Sequence, residues 1–318
     1  MIFTVSLLAG CASTPKWPVS DAPGQSSLPE RVVLPNVPFY PQERYQCGPA
    51  SLAMMLNSQG LDTDPEILKE LVYIPGREGT LQVEMVAGAR AHGMLVYPLD
   101  GTLESLLSEV AAGNPVLVMQ NLRFGWWPQW HFAVVIGYDA RERDLILHTD
   151  TRQWQPVDLE VFSNTWGRAN HWAVTILPPD RVPATATALP FLQSAHDLET
   201  TGRTTAAGIA YRTAEVTWPN QPAAPMARGN LAWQLGQREG ALGHFLRTTR
   251  QFPEFPEGWN NLAYALEARQ CQAAATRAAR CAATLAPERF GDSDLLDEAR
   301  SNHFVQSDNC PAVPPCSP

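Results

Sequence analysis

Across the last third of the chain, Ala207, Ala241 and Ala275 recur at a step of 34 residues. Tyr211, Phe245 and Ala279 keep the same step, as do Ala214, Thr248 and Ala282, and then Pro219, Pro253 and Pro287. A period of this length confines the segment to a stack of supersecondary units, none of which can bury its apolar face alone, and three units are the minimum such a stack needs. Ala195 and Ala263 stand twelve residues before the first and third of these alanines, with Leu198 and Leu266 three further on. In the middle unit Ala232, followed by Leu235, lies nine before Ala241, which predicts an inter-helix turn three residues shorter there.

With small residues at the helix contact and proline at the unit's end, the period resembles the tetratricopeptide repeat. The resemblance implies three repeats over 188–290 and a protein partner bound through them; an ordinary Ala-rich helical bundle is the competing reading. Residues 291–318 then form a capping segment, with a polar helix expected from Asp294 to Asn302, and a tail. Cys271, Cys281, Cys310 and Cys316 allow three disulfide pairings. If Cys271 and Cys281 flank one helix, the rise per residue separates them by about 15 Å, beyond the roughly 7 Å that a bridge spans. The tail cysteines are therefore expected to bond back to the last repeat, and a zinc site is disfavoured because the tail has no Cys-x-x-Cys pair.

At the other end, Ile2 to Gly10 is a short apolar stretch closing on Leu7-Leu8-Ala9-Gly10-Cys11. It resembles a bacterial lipoprotein signal, 1–11, with Cys11 as the lipidated residue. No Lys or Arg precedes the stretch, so the translation start is expected upstream of Met1. Residues 12–35, rich in Pro, Ser and Ala, read as a tether. Ala12 after Cys11 resembles lipoproteins sorted to the outer membrane, which implies a periplasm-facing protein in an oxidising compartment. No other apolar run is long enough to span a bilayer. A formal charge of -9 with no basic run argues against a nucleic-acid partner, and 45% apolar content is enough for a packed core.

Between these ends, 36–179 reads as one compact domain, joined to the repeats by a linker at 180–187. Asp64-Pro65 opens a helix to about Val72, Thr80 is expected to cap a second that stops at Gly93, and Thr102 a third that stops at Gly113. The period then changes: Val116 to Gln120, Phe132 to Tyr138, Leu145 to Thr149 and Trp172 to Leu177 are β-rich runs bounded by Gly, Pro, Asn and Asp. Helices grouped before an antiparallel sheet give an α+β class.

The chemistry of this domain centres on Tyr45-Gln46-Cys47-Gly48-Pro49, which runs into the apolar Ala50-Ser51-Leu52-Ala53-Met54-Met55-Leu56. Cys47 stands at a helix start with Pro49 in the first turn. The free N–H groups and the positive end of the helix dipole there favour a thiolate. A buried structural cysteine is the competing reading.

A thiol nucleophile needs a base and a group to orient it. His131 opens the strand His131-Phe132-Ala133-Val134-Val135-Ile136-Gly137-Tyr138, which turns and returns as Leu145 to Thr149. If Asp139 pairs with Asp144, paired positions sum to 283. His131 then faces residue 152, and Asp150 lies one diagonal step away on the same face. His171, in the echo His171-Trp172-Ala173-Val174, is the competitor but has no carboxylate at a comparable offset. His148 shares a strand face with Asp150. For the oxyanion, the Cys47 backbone N–H supplies one donor and a side-chain amide another. Gln46 is expected to point away from the thiol, leaving Gln42. The aromatic run Phe124-Gly125-Trp126-Trp127-Pro128-Gln129-Trp130 beside His131 reads either as a substrate wall or as packing under a loop.

Val37-Pro38-Phe39-Tyr40-Pro41-Gln42, Gln46-Cys47-Gly48-Pro49-Ala50-Ser51-Leu52-Ala53-Met54, His131-Phe132-Ala133-Val134-Val135 and His148-Thr149-Asp150 resemble the bacteriocin-processing, double-glycine-leader peptidases among papain-like cysteine proteases. The resemblance implies a papain-like α+β fold and a cofactor-free, metal-free hydrolysis of peptide bonds. It assigns Cys47 as nucleophile, His131 as acid/base, Asp150 as orienter and Gln42 as oxyanion donor. The family usually places the glutamine six residues before the cysteine, where Pro41 stands here. Two other functions fit the same sequence: hydrolysis of peptidoglycan stem peptides, and a scaffold whose repeats work beside an inert peptidase fold.

Overall fold

A computed structural model describes residues 15–18, 28–42, 46–298 and 309–316. Cys11, the lipoprotein signal and most of the tether lie outside the described residues. The chain divides into two compact units, one built from residues up to 92, 96–177 and 183–185, the other from 186 onward together with 93–95 and 178–182.

The first unit contains strands β1 (Arg31–Val33), β2 (Leu95–Pro98), β3 (Val116–Asn121), β4 (Trp130–Asp139), β5 (Asp144–Thr149), β6 (Arg152–Asp158) and β7 (Ala173–Leu177). Its helices are α1 (Cys47–Ser58), α2 (Pro65–Val72), α3 (Gln82–Ala91), α4 (Leu103–Ala111) and α5 (Leu159–Gly167). The strands form one sheet in the order β2-β7-β3-β4-β5-β6, with β1 paired to the far end of β4. On one face Ala133 and Val135 of β4 and Leu145 and Leu147 of β5 pack with Leu106, Leu107, Phe162 and Trp166 of α4 and α5. Helix α1 packs against the same central strands but shares none of that core, and so covers the other face. The class is α+β, helices layered on an antiparallel sheet.

Local chemistry explains most helix ends. Asp64 caps α2 by accepting from Ile67 N–H, with Pro65 in the first turn, and Thr102 caps α4 by accepting from Ser105 N–H. Thr80 does not cap α3, which begins after Leu81 with no side-chain cap. Its side chain instead occupies the space a Cβ at position 48 would need, 2.4 Å from Oγ1. The residue after Cys47 must therefore be glycine. Strand β6 and helix α5 were not evident from sequence because Arg-Gln-Trp-Gln-Pro-Val-Asp lacks apolar alternation. That composition, proline included, suits the sheet edge where β6 lies. Within the segment read as linker, Ala184 N–H and Thr185 N–H and O–H all donate to the carboxylate of Glu109, a fully buried residue of α4.

The second unit is helical: α6 (Ala188–Thr200), α7 (Thr204–Thr217), α8 (Ala223–Gln234), α9 (Arg238–Gln251), α10 (Pro256–Glu267), α11 (Gln272–Leu285), α12 (Pro287–Phe290) and α13 (Asp294–Glu298). Helices α6 and α7, α8 and α9, and α10 and α11 pack as successive hairpins. The periodic alanines Ala207, Ala241 and Ala275 are buried on α7, α9 and α11. The middle turn is not shortened. Residues 201–203 and 235–237 are equal turns, and 268–271 is one longer. The residue in step with Ala195 and Ala263 is Gly229, and Ala232 matches Leu198 and Leu266. Glycine hides the column because Phe245 fills the space: a Cβ at position 229 would lie 2.4 Å from its ring. Gly229→Ala is expected to destabilise this unit by about 1–3 kcal/mol, measured as a shifted denaturant midpoint. An unchanged midpoint would show that the ring moves aside freely.

The tail is stapled by Cys271–Cys310 and Cys281–Cys316. Cys310 and Val313 pack against the core of α10 and α11.

Candidate active site

Cys47, the free cysteine among the described residues, is the first residue of α1. The backbone at Phe132, Gly48 and Cys47 itself surrounds its sulfur with groups that stabilise negative charge. Each favours the thiolate, but burial outweighs them and pushes the thiol above its ordinary value. The helix-start expectation of a ready thiolate is thus reversed in the free protein. The dipole and the donors are present, and desolvation is the larger effect.

His131 lies next to Phe132 at the start of β4, and Ser51 Oγ of α1 donates to Phe132 C=O at 3.3 Å, so the first turns of α1 pack against the histidine's own strand. Among the described residues no hydrogen bond joins sulfur and imidazole directly. The ring is held by Thr149, with Nε2 2.7 Å from its Oγ1. Burial pulls the His131 pKa down, and the charge of Asp150 partly opposes that. At neutral pH the thiol and the imidazole are therefore both uncharged.

Thr149, missed by sequence reasoning, takes the place expected of Asp150 for a register reason. Asp139↔Asp144, Tyr138↔Leu145 and Gly137↔Ile146 keep the expected sum of 283, but a β-bulge at Ile136 intervenes, and Val135 pairs with Leu147 and Val134 with His148. The sum becomes 282, and a slip of one residue exchanges the faces of a strand. Thr149, not Asp150, becomes the same-face diagonal neighbour of His131. Asp150 sits in the following turn at φ +52°, close enough for its charge to act on the ring.

Gln42 holds that turn in place. Its backbone N–H donates to Asp150 C=O at 2.9 Å and its Oε1 accepts from Asp150 N–H at 3.0 Å. The amide nitrogen donates to Ser51 Oγ and to Phe132 C=O. Both amide hydrogens are thus engaged, and neither is directed at an oxyanion. Gln42 ties α1, β4 and the Asp150 turn together. Gln46 does point away, toward Glu66.

The other histidines are placed elsewhere. His148 is fully buried, with Nε2 against Val37 C=O and Nδ1 accepting from Trp154 N–H. His171 stacks edge-on against Trp166. A cavity of about 550 Å³ opens on the α5 side of the sheet, lined by His131, Thr149 and Asp150 together with Gln120, Leu122 and Gln129. Cys47 does not line it. Among the described residues no cluster of metal-ligating side chains is found.

Residues 34–174 match the sequence model of the Peptidase_C39 like family. Among solved structures, a C39-like peptidase from Bacillus anthracis is 21% identical. It overlaps 47% of this chain and 98% of its own length at a TM-score of 0.39. The peptidase domain of Streptococcus ComA, a bi-functional ABC transporter involved in a quorum-sensing pathway, is also 21% identical and overlaps 45% and 98% at 0.36. The first tetratricopeptide repeat domain of Spaghetti (RPAP3), bound to an HSP90 peptide, is 17% identical and overlaps 36% and 88% at 0.32. Overlaps at these scores assign no function. No curated protein sequence matches the chain.

Proposed function

Starting from the membership of residues 34–174 in the Peptidase_C39 like family, which makes the first unit a cysteine peptidase domain, we propose that Cys47, His131, Thr149 and Asp150 carry out peptide-bond hydrolysis. The observation that carries this reading is the bond from Ser51 Oγ, one turn along α1 from Cys47, to Phe132 C=O at 3.3 Å, which sets the helix start against the residue after His131. The neutral imidazole takes the thiol proton as sulfur attacks the scissile carbonyl carbon. The oxyanion of the tetrahedral intermediate is met by the N–H groups of Cys47 and Gly48 at the start of α1. The protonated imidazole passes its proton to the leaving amine as the C–N bond breaks. Water, deprotonated by the same ring, then hydrolyses the thioester and frees Cys47.

Thr149 is a positioning residue. We assign its Oγ1 as the acceptor from Nε2–H, which leaves Nδ1 as the bare base, while the Asp150 carboxylate stabilises the imidazolium that forms. Gln42 holds the Asp150 turn against β4. Thr149→Val is expected to lower kcat by about tenfold to a hundredfold, with Thr149→Ser restoring most of it. Imidazole nitrogen shifts should report a fixed Nε2–H form in wild type and a tautomer mixture in the valine variant. Equal shifts in both would remove Thr149 from the mechanism.

The broader setting belongs to the same proposal. Cys11 carries a lipid, 12–35 tethers the peptidase to a membrane on the periplasmic side, and the helical unit, read as tetratricopeptide repeats, recruits a protein partner. Two observations support this setting: the two disulfides, which fit an oxidising compartment, and the regular burial of the 34-residue columns. Among the described residues no helix is long and apolar enough to cross a membrane. The test compares periplasmic peptides from cells carrying wild type or Cys47→Ala. Peptides that accumulate or vanish only with the alanine variant identify the substrate, and identical peptide pools would count against the reading.

A further inference from the structure

His148 takes no step in the reaction, yet it is fully buried on β5, where a polar ring is unfavourable unless both nitrogens are bonded. Here both are. Nδ1 lies 3.2 Å from Trp154 N and Nε2 lies 3.2 Å from Val37 O. A backbone N–H donates and a carbonyl accepts, so these partners fix one form of the ring: neutral, with Nδ1 bare and the hydrogen on Nε2. Burial acts in the same direction, holding the His148 pKa below its ordinary value.

The two bonds complete an irregularity in the sheet. Leu147 pairs with Gln155 and Thr149 with Arg152, so His148 alone stands opposite both Gln153 and Trp154 of β6. At a bulge of this kind the ladder is interrupted, and Trp154, at φ +54°, donates to the imidazole instead of to a carbonyl. The same ring reaches across to the segment that precedes α1. Val37 to Gln42 and Asp150 to Trp154 are thus fastened at both ends: Gln42 bonds the N–H and C=O of Asp150, and His148 joins Val37 to Trp154. Phe39, midway along the first segment, packs edge-on against the imidazole at 5.3 Å.

Thr149 is caught between these fastenings, with His148 and Asp150 as its chain neighbours. Its Oγ1 lies 2.7 Å from His131 Nε2, and a misplacement of about 1 Å at such a contact lowers a rate on the order of a hundredfold. We infer that His148 is a positioning residue of the peptidase: by accepting from Trp154 N–H it fixes the far end of the turn after Thr149, and so keeps Thr149 Oγ1 on the His131 ring. Fully buried, it acts only through the backbone it holds. The inference rests on the peptidase reading above and adds to it a residue that the chemical steps do not use.

The ring's two bonds can be removed one at a time in the full chain. In His148→Asn the side-chain oxygen replaces Nδ1 and keeps the bond to Trp154, whereas in His148→Gln the amide nitrogen replaces Nε2 and keeps only the bond to Val37. Circular-dichroism melts show whether both fold. Kinetics are read on the peptide that wild type cuts fastest in an equimolar mixture of synthetic peptides of diverse sequence. His148→Gln is expected to lower kcat about tenfold to a hundredfold with KM within about twofold, and His148→Asn to keep most of the wild-type kcat. Imidazole nitrogen shifts of His131 should report a fixed Nε2–H form in wild type and His148→Asn and a tautomer mixture in His148→Gln, which a loss of stability alone does not produce. Equal kcat in the two variants overturns the inference, and so do His131 shifts that are the same in wild type and His148→Gln. If wild type cuts none of the peptides, the peptidase reading is what fails, and the His131 shifts alone decide the role of His148. Should either variant fail to fold, hydrogen exchange of wild type decides: the Trp154 and Asp150 amides are expected to be protected together, and a freely exchanging Trp154 amide overturns the inference.

Discussion

Replacing Cys47 with alanine is expected to lower peptide hydrolysis at least about a thousandfold, the scale on which loss of a nucleophile acts, and to abolish alkylation of the first unit by iodoacetamide. The pH dependence in wild type separates two mechanisms. A pre-formed thiolate–imidazolium pair would alkylate fast at neutral pH. Here burial raises the Cys47 pKa above its ordinary 9.0 and lowers that of His131 below 6.5. Thiolate is therefore scarce at neutral pH, and alkylation should be slower than that of free cysteine, still rising above pH 9. For turnover the signs run the other way. His131 must be neutral to accept the proton and is so across neutral pH, because its pKa lies below 6.5, while the thiol keeps its proton until above 9. The expected kcat/KM profile is a broad plateau across neutral pH, with its acid limb below 6.5. Fast alkylation at pH 6 would show an ion pair and overturn the neutral-pair mechanism. His131→Ala should reduce turnover on a similar scale while leaving Cys47 present and slowly alkylatable.

The second large effect concerns the stapled tail. The bridges close loops with sequence separations of 39 and 35 residues, and in the chain-entropy account each stabilises the helical unit by about 4 kcal/mol. The tail and last helices form the end of a one-dimensional stack in which each hairpin touches only its neighbours. Cys310→Ser/Cys316→Ser is thus expected to fray α10 and α11 before α6 and α7, with hydrogen exchange accelerating first in 256–285. Peptide mapping without reductant gives the direct check on connectivity. If the double variant melts with wild type, or if exchange accelerates evenly along the unit, the staple does not hold this end.

Legibility from sequence followed the range of the interaction. Asp64 and Thr102 announced their helices because an N-cap bonds within three residues, and the apolar run after Cys47 announced α1. The 34-residue columns were visible except at Gly229, where a contact with Phe245 removed the side chain that would have marked the repeat. Strand β6 was invisible, since an edge strand with one open side needs no apolar alternation. Thr80 misled for a similar reason: it has the chemistry of a cap, but the helix start at Gly48 presses on it from elsewhere in the chain.

At the site the division is sharper. Sequence alone determined the residue types and their order: a cysteine at a helix start, a histidine opening a strand, an aspartate after the returning strand, and a glutamine upstream. These depend on local pattern and covalent neighbourhood. Only the tertiary structure decided which groups touch. The bulge at Ile136 turned Thr149 rather than Asp150 onto the face of His131, because strand faces alternate every residue and one extra residue exchanges them. Gln42 became the brace of the Asp150 turn, because its amide hydrogens meet Ser51 and Phe132, partners 9 and 90 residues away in the chain. The charge state of Cys47 reversed for the same physical reason. The helix dipole is readable from where a helix begins, but the burial that outweighs it is made by parts of the chain that meet only when it folds.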